Sequence, residues 1–134
     1  MTEPLWIRDD VAFAIHRRQL AEHGGQDGLR DPGLLESALA RPKNLHAYEP
    51  ERADLPTLAA AYAWGIVKNH PFLDGNKRTA LVVCRTFLKL NGWDLEATQE
   101  EKYRTFLRLA EGRLKEEELA EWLRDHATPA NRSS

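Results

Sequence analysis

Apolar residues recur at three- and four-residue spacing along almost the whole chain, and period-two alternation long enough for a strand is scarcely found. That pattern predicts an all-α fold, a compact bundle of about six helices, and the breaks between periodic stretches place them. A first helix fits Asp10 to His23 and stops at Gly24-Gly25, where glycine takes left-handed dihedrals without steric cost. Asp31 offers an N-cap oxygen and Pro32 suits the first position of a second helix, whose stripe Leu34, Leu35, Ala38 and Leu39 is expected to end at Pro42. Pro42 to Asp54 has no periodicity and reads as the longest internal loop, a candidate docking flap with room for a short β-flap. Leu58, Ala61, Tyr62, Gly65, Ile66 and Asn69 outline a third helix that ends near His70, because Pro71 pushes its predecessor out of the αR region. A fourth helix, from about Asn76 to Asn91, points Ala80, Val83, Cys84, Phe87 and Leu88 inward and should be central. Thr98 and Glu101 form a capping box for a fifth, with Tyr103, Phe106, Leu107 and Ala110 on its apolar face. The sixth, Glu116 to His126, buries Leu119, Trp122 and Leu123.

At 134 residues the chain suits one domain, expected over 5–126, with a disordered tail over 127–134 whose Pro, Asn and Ser bury too little to order it. Nineteen Lys and Arg against 21 Asp and Glu leave a net charge of −2, which argues against direct binding of nucleic acid by phosphate neutralisation. The single Cys excludes an intramolecular disulfide and fits a reducing compartment. No secretory h-region follows Met1, and the longest apolar run, Leu58 to Val67, is about half the ~20 residues of a spanning helix. A cytoplasmic protein with no membrane contact is the expectation.

One segment gathers chemistry. His70-Pro71-Phe72-Leu73-Asp74-Gly75-Asn76-Lys77-Arg78 sets a base, a carboxylate, a glycine, an amide and two cations between two predicted helices. Free N–H groups at the start of the second of these helices favour an anion, and Gly75 lets a phosphate come close. Lys77 and Arg78 oppose the helix dipole there and cost a few tenths of a kcal/mol, about what a bound anion would reverse. Asp74 beside phosphate oxygens is the usual arrangement for Mg²⁺, and the His70 imidazole can take a proton from an attacking hydroxyl at neutral pH. Together these groups suit phosphoryl or nucleotidyl transfer.

Bland readings exist for each part: a dipole-favoured helix-end His, an Asp-Gly turn, an Asn cap, a solvated Lys-Arg pair. Zinc held by His70 and Asp74 at i, i+4 fails, since Pro71 prevents one helix from carrying both. Phe72 is a core anchor. Cys84 is an inert core thiol, His16, His23 and His126 are expected to be exposed, and His46 lies open in the flap.

Taken whole, residues 70–78 resemble the Fic/Doc (Fido) motif, and Asn76-Lys77-Arg78-Thr79-Ala80 is similar to its death-on-curing (Doc) toxin branch. A second block, Gly28-Leu29-Arg30-Asp31-Pro32-Gly33-Leu34-Leu35-Glu36-Ser37-Ala38-Leu39-Ala40-Arg41-Pro42, also looks like that branch. The resemblance implies a Fido fold and a toxin of a type II toxin–antitoxin module that modifies a protein hydroxyl with ATP and Mg²⁺. Doc relatives phosphorylate elongation factor Tu, whereas Fic relatives transfer AMP. On that pattern His70 is the base, Asp74 the Mg²⁺ ligand, and Gly75, Asn76, Lys77 and Arg78 the phosphate cradle. The flap over 42–54 would align the target as an added strand.

The motif is a hybrid, because His70-Pro71-Phe72 and Asp74-Gly75 follow the Fic form while Lys77 stands where Fic enzymes carry a second glycine. A lysine there crowds the AMP-transferring orientation and favours one that presents the γ-phosphate. Glu111-Gly112 is preceded at the relevant distance by Leu107, so the self-inhibitory pattern of Fic enzymes is not found and restraint is expected from an antitoxin helix in trans. A helical nucleic-acid binder or ribonuclease, and an inactive interaction module, are the competing classes.

Overall fold

The computed structural model describes residues 3–130. Six helices run in chain order: α1 (Asp9–His23), α2 (Pro32–Tyr48), α3 (Leu55–Asn69), α4 (Asn76–Leu90), α5 (Gln99–Ala110) and α6 (Glu116–His126). A 3-10 turn at Pro50–Arg52 joins α2 to α3, and β1 (Trp93–Leu95) pairs antiparallel with β2 (Ala127–Pro129). The all-α bundle expected from periodicity is therefore observed, with one small two-stranded ribbon added.

The centre is α3 rather than α4. Leu58 through Ala63, Gly65 and Ile66 are all buried, so this helix is covered around nearly its whole circumference. Its alanines and glycine explain why, since small residues let neighbouring helices approach. A Cβ on Gly65 would stand 3.1 Å from the Cα of Ala38, so α2 crosses α3 in direct backbone contact. Against α3 lies α4, whose Ala80, Val83, Cys84, Phe87 and Leu88 are fully buried as expected. Burial pushes the Cys84 thiol far above its ordinary range and makes it an inert core group.

Three expectations fail for identifiable reasons. The helix α2 does not stop at Pro42 but runs through it to Tyr48, and Pro42 is buried inside it. An interior proline costs about 3 kcal/mol, and the burial of Leu39, Pro42 and part of Leu45 offsets a loss of that size, at about 1.5–3 kcal/mol per large apolar side chain. Arg41 also pairs with Glu116 across to α6. The expected 42–54 flap is thus mostly helix and a 3-10 turn, with no β-flap. Second, the tail expected over 127–134 begins as β2, where Trp93↔Pro129 and Leu95↔Ala127 are in register; residues 131–134 lie outside the described residues. Third, the apolar face of α5 is rotated. Lys102, Thr105, Phe106 and Leu109 are buried, while Tyr103 and Ala110 are exposed.

Caps fix the helix starts. Asp31 accepts from the Gly33 N–H at 2.8 Å, and the Thr98/Glu101 capping box forms reciprocally. Asp54 accepts from the Thr57 N–H at 3.0 Å at the start of α3 and pairs with Arg124 of α6 at 3.0 Å. Burial raises the Asp54 carboxyl, but hydrogen bonds from Thr57 and Arg124 outweigh it and hold the group below its ordinary value. A depressed carboxyl binds its proton more tightly in the unfolded chain. Its contribution is complete above the ordinary carboxylate range and is lost as pH falls through the lowered value. Asp54→Asn keeps the cap and removes the charge, so urea melts across the acid range should show a shallower dependence of stability on pH than the parent chain. The effect is small, within about 1 kcal/mol, because the ion pair is half exposed.

Candidate active site

Between α3 and α4 the chain turns through the segment 70–78. His70 ends α3 with φ 53° and ψ 56°, the left-handed region, and it is the one non-glycine residue with positive φ among the described residues. Pro71 cannot continue a helix, and the chain drops into the core at Phe72, which is 1% exposed. Asn76 closes the turn. Its side-chain oxygen accepts from the Phe72 N–H at 3.0 Å and its side-chain nitrogen donates to the Phe72 carbonyl at 2.9 Å, so both main-chain groups of a buried residue are satisfied by one carboxamide. The side chain of Asn76 is therefore occupied within the loop, and its backbone N–H is what it offers outward.

The helix α4 begins without a side-chain cap. Gly75 sits at its N-cap with φ 79°, and no acceptor among the described residues takes the N–H groups of Asn76, Lys77 or Arg78. Arg78 is exposed and has no ion pair among the described residues. The Lys77 ammonium lies 4.6 Å above the ring centre of Tyr103, a cation–π contact with the exposed face of α5. Asp74 is exposed, with Oδ1 accepting from the Gly75 N–H at 2.9 Å and Oδ2 from the Gln26 N–H at 3.3 Å.

Two contributions are not evident in the sequence. His16, expected to be exposed, is 3% exposed: its ring stacks on Phe72 at 3.7 Å between centres, and its Nε2 donates to the Asp74 carbonyl at 2.8 Å. Its position on α1 holds a clue, since Ala12 and Gln19 at i−4 and i+3 are buried on the same face. The second is the segment 25–30, whose Gly28-Leu29-Arg30 opens the second block noted in the sequence but whose contact with the motif no local pattern shows. It runs antiparallel to the motif, with Leu29 bridged to Phe72, the Leu73 N–H donating to the Gly28 carbonyl and the Arg30 N–H to the Pro71 carbonyl. The two sequence blocks singled out separately are thus one structure.

These groups fit a nucleotide with Mg²⁺ in two respects. Bare amides at an uncapped helix start suit phosphate oxygens. Each Asp74 oxygen has one N–H partner and retains a lone pair, and one carboxylate with phosphates and waters is what Mg²⁺ takes. Among the described residues there is no cluster of three His, Cys, Asp or Glu able to cage a metal alone.

The Fic/DOC family profile matches residues 6–88, from α1 to near the end of α4 and including both blocks. The chain belongs to that family. It is 37% identical over 86 residues to "Protein kinase doc" of Escherichia phage P1, an alignment covering 64% of this chain and 68% of that protein. It is 42% identical over 74 residues to "Toxin Doc" of Mycolicibacterium smegmatis, covering 55% of this chain and 57% of that protein, less than two thirds of its length. Family members are nucleotide-using enzymes. No helix among the described residues is long and apolar enough to cross a membrane.

Gly28 tests how the site is held. Its φ of 136° is strained for any other residue, and a Cβ would meet Leu73 Cδ1 at 2.7 Å. Leu73 is 42% exposed and can swing aside, so the backbone strain dominates, at about 1–3 kcal/mol. Gly28→Ala should lower stability by that amount in a denaturant titration. An unchanged midpoint would mean that the 25–30 segment does not hold the motif in this register.

Proposed function

We propose that the chain is the toxin of a toxin–antitoxin module and that it transfers a phosphoryl group from ATP to a hydroxyl side chain of a translation protein, with elongation factor Tu as the target class. The observation that carries the reading is the uncapped start of α4, where the amides of Asn76, Lys77 and Arg78 lack acceptors among the described residues. The name of one relative, "Protein kinase doc", agrees with phosphoryl transfer, and that of the other, "Toxin Doc", with the toxin role.

In this reading the Asn76, Lys77 and Arg78 N–H groups and the Arg78 guanidinium bind phosphate oxygens, and Asp74 holds Mg²⁺. Bound ATP and Mg²⁺ supply the transferable phosphoryl group and neutralise charge on it. His70 takes the proton from the target hydroxyl as the oxygen approaches phosphorus. The residues that hold the loop keep the base and cradle in fixed relation, and positioning of this kind provides most of the acceleration in phosphoryl transfer.

Target docking must differ from strand addition on a 42–54 flap, because α2 occupies most of that segment. A groove of about 890 Å³ between α2, α3 and α6 is lined in part by Asn69, the residue before His70, and in this reading takes the partner segment. An antitoxin helix laid there would block access to the base.

AMP transfer is the second reading, and the position of Lys77 bears on it. Its ammonium is engaged by Tyr103, and the crowding that disfavours AMP transfer depends on where that ammonium lies. Incubating the protein with a bacterial lysate, Mg²⁺ and ATP labelled at either the α- or γ-phosphate separates the cases. γ-Label should appear on a protein band and vanish with His70→Ala. Transfer of neither label would overturn the proposal. Lys77→Gly should raise the α- to γ-label ratio at least severalfold, and an unchanged ratio would remove Lys77 as the determinant of which group moves.

A further inference from the structure

Three successive carbonyls at the end of α3 are all taken by one residue. Arg30 donates from Nη2 to the Asn69 carbonyl at 2.8 Å, from Nε to the His70 carbonyl at 2.9 Å, and from its own main-chain N–H to the Pro71 carbonyl at 2.6 Å. These carbonyls bracket the strained residue of the fold, His70 at φ 53°. The left-handed conformation of a residue with a Cβ persists only where its surroundings over-determine it. On the His70 backbone itself, the N–H donates to the Ile66 carbonyl at 3.0 Å, and the carbonyl is held by Arg30.

We infer that Arg30 is a positioning residue for the His70 base. A planar guanidinium is well suited to this role, because its two donors keep a fixed spacing and meet adjacent carbonyls, while its charge lies at the negative end of the α3 dipole. Arg30 itself is exposed, so little packing depends on it. Its main-chain bond to Pro71 ties the guanidinium to the same strand-like track that holds Phe72. Losing the fork frees the Asn69–His70 peptide to relax toward right-handed dihedrals, which swings the imidazole relative to the α4 amides without altering those amides. Arg30 thus acts on the proton-transfer geometry, and nucleotide binding is left to α4.

The inference rests on His70 being the base, and two measurements keep the two ideas separable. In the label-transfer assay with purified target, Arg30→Met should lower kcat by about ten- to hundredfold, the scale of a small misplacement of a reacting group, with the KM for ATP within about twofold of the parent. Arg30→Lys keeps the charge and loses the fork, so it should recover less than half of that loss. Parent-like kcat in Arg30→Met would overturn the inference, as would a loss that appears equally in KM.

The second measurement needs no activity. Thermal melting of Arg30→Met is compared in the parent and in a His70→Gly background, where glycine carries no left-handed penalty. The Tm loss caused by Arg30→Met should be larger in the glycine background, because a relaxing left-handed histidine returns strain that offsets part of the lost hydrogen bonding and glycine has none to return. Equal losses would show Arg30 to be only a general stabiliser and overturn the inference. If the parent chain transfers no label yet the melts behave as expected, the phosphotransfer reading fails while the hold of Arg30 on residue 70 stands.

Discussion

The functional end of the molecule depends on the Asn76 carboxamide closing on the two main-chain groups of Phe72. Without it, a buried N–H and a buried carbonyl would be left unpaired, each costing about 1–3 kcal/mol. With it, Phe72 can sit in the core stacked on His16, while His70 at the end of α3 and Asp74 before the start of α4 are exposed. The four-residue spacing between the anchor and its clamp fixes the turn from which α4 starts. The chemistry is exposed because its fastening is buried.

Much of this is legible in the sequence, and the reasons differ from place to place. Pro71 and Gly75 mark their breaks by local stereochemistry, so the ends of α3 and α4 are readable to within a residue or so. Caps such as Asp31 and Thr98 are equally local. Pro42 misleads because its local penalty is outweighed by packing of α2 on α3, which no window of sequence contains. Tyr103 misleads through a rotation of α5 that depends on how its neighbours are placed. The roles of His16 and Arg30 escape notice for a related reason. Their roles lie in contacts about 40 to 58 positions away, and nothing in the residues beside them announces those contacts.

The first turn of α4 is locally unfavourable in its own sequence. An uncapped start and two cations near the positive end of a helix dipole each act against the helix. The remainder of α4 is fully buried on one face against α3, and that burial is worth far more than the few tenths of a kcal/mol at stake in each charge. The conflict is therefore sustainable. It also has a sign: an anion at the helix start relieves all of these terms together, whereas a cation worsens them.

The same logic explains why the supports come from elsewhere in the chain. A loop built from proline, glycine and a left-handed histidine cannot stabilise itself, and α3 and α4 are committed to the core. Beyond the Asn76 clamp, the hold comes from the segment that runs alongside, residues 25–30, which contributes main-chain hydrogen bonds to Pro71 and Leu73, an N–H to Asp74 and the guanidinium of Arg30 to the end of α3. Because this segment follows α1, and α1 supplies His16 beneath Phe72, one continuous stretch from His16 to Arg30 grips the motif from below and from the side. The two conspicuous blocks of the sequence are then a single device: one carries the reactive groups, and the other denies them the freedom that their strained backbone would otherwise take.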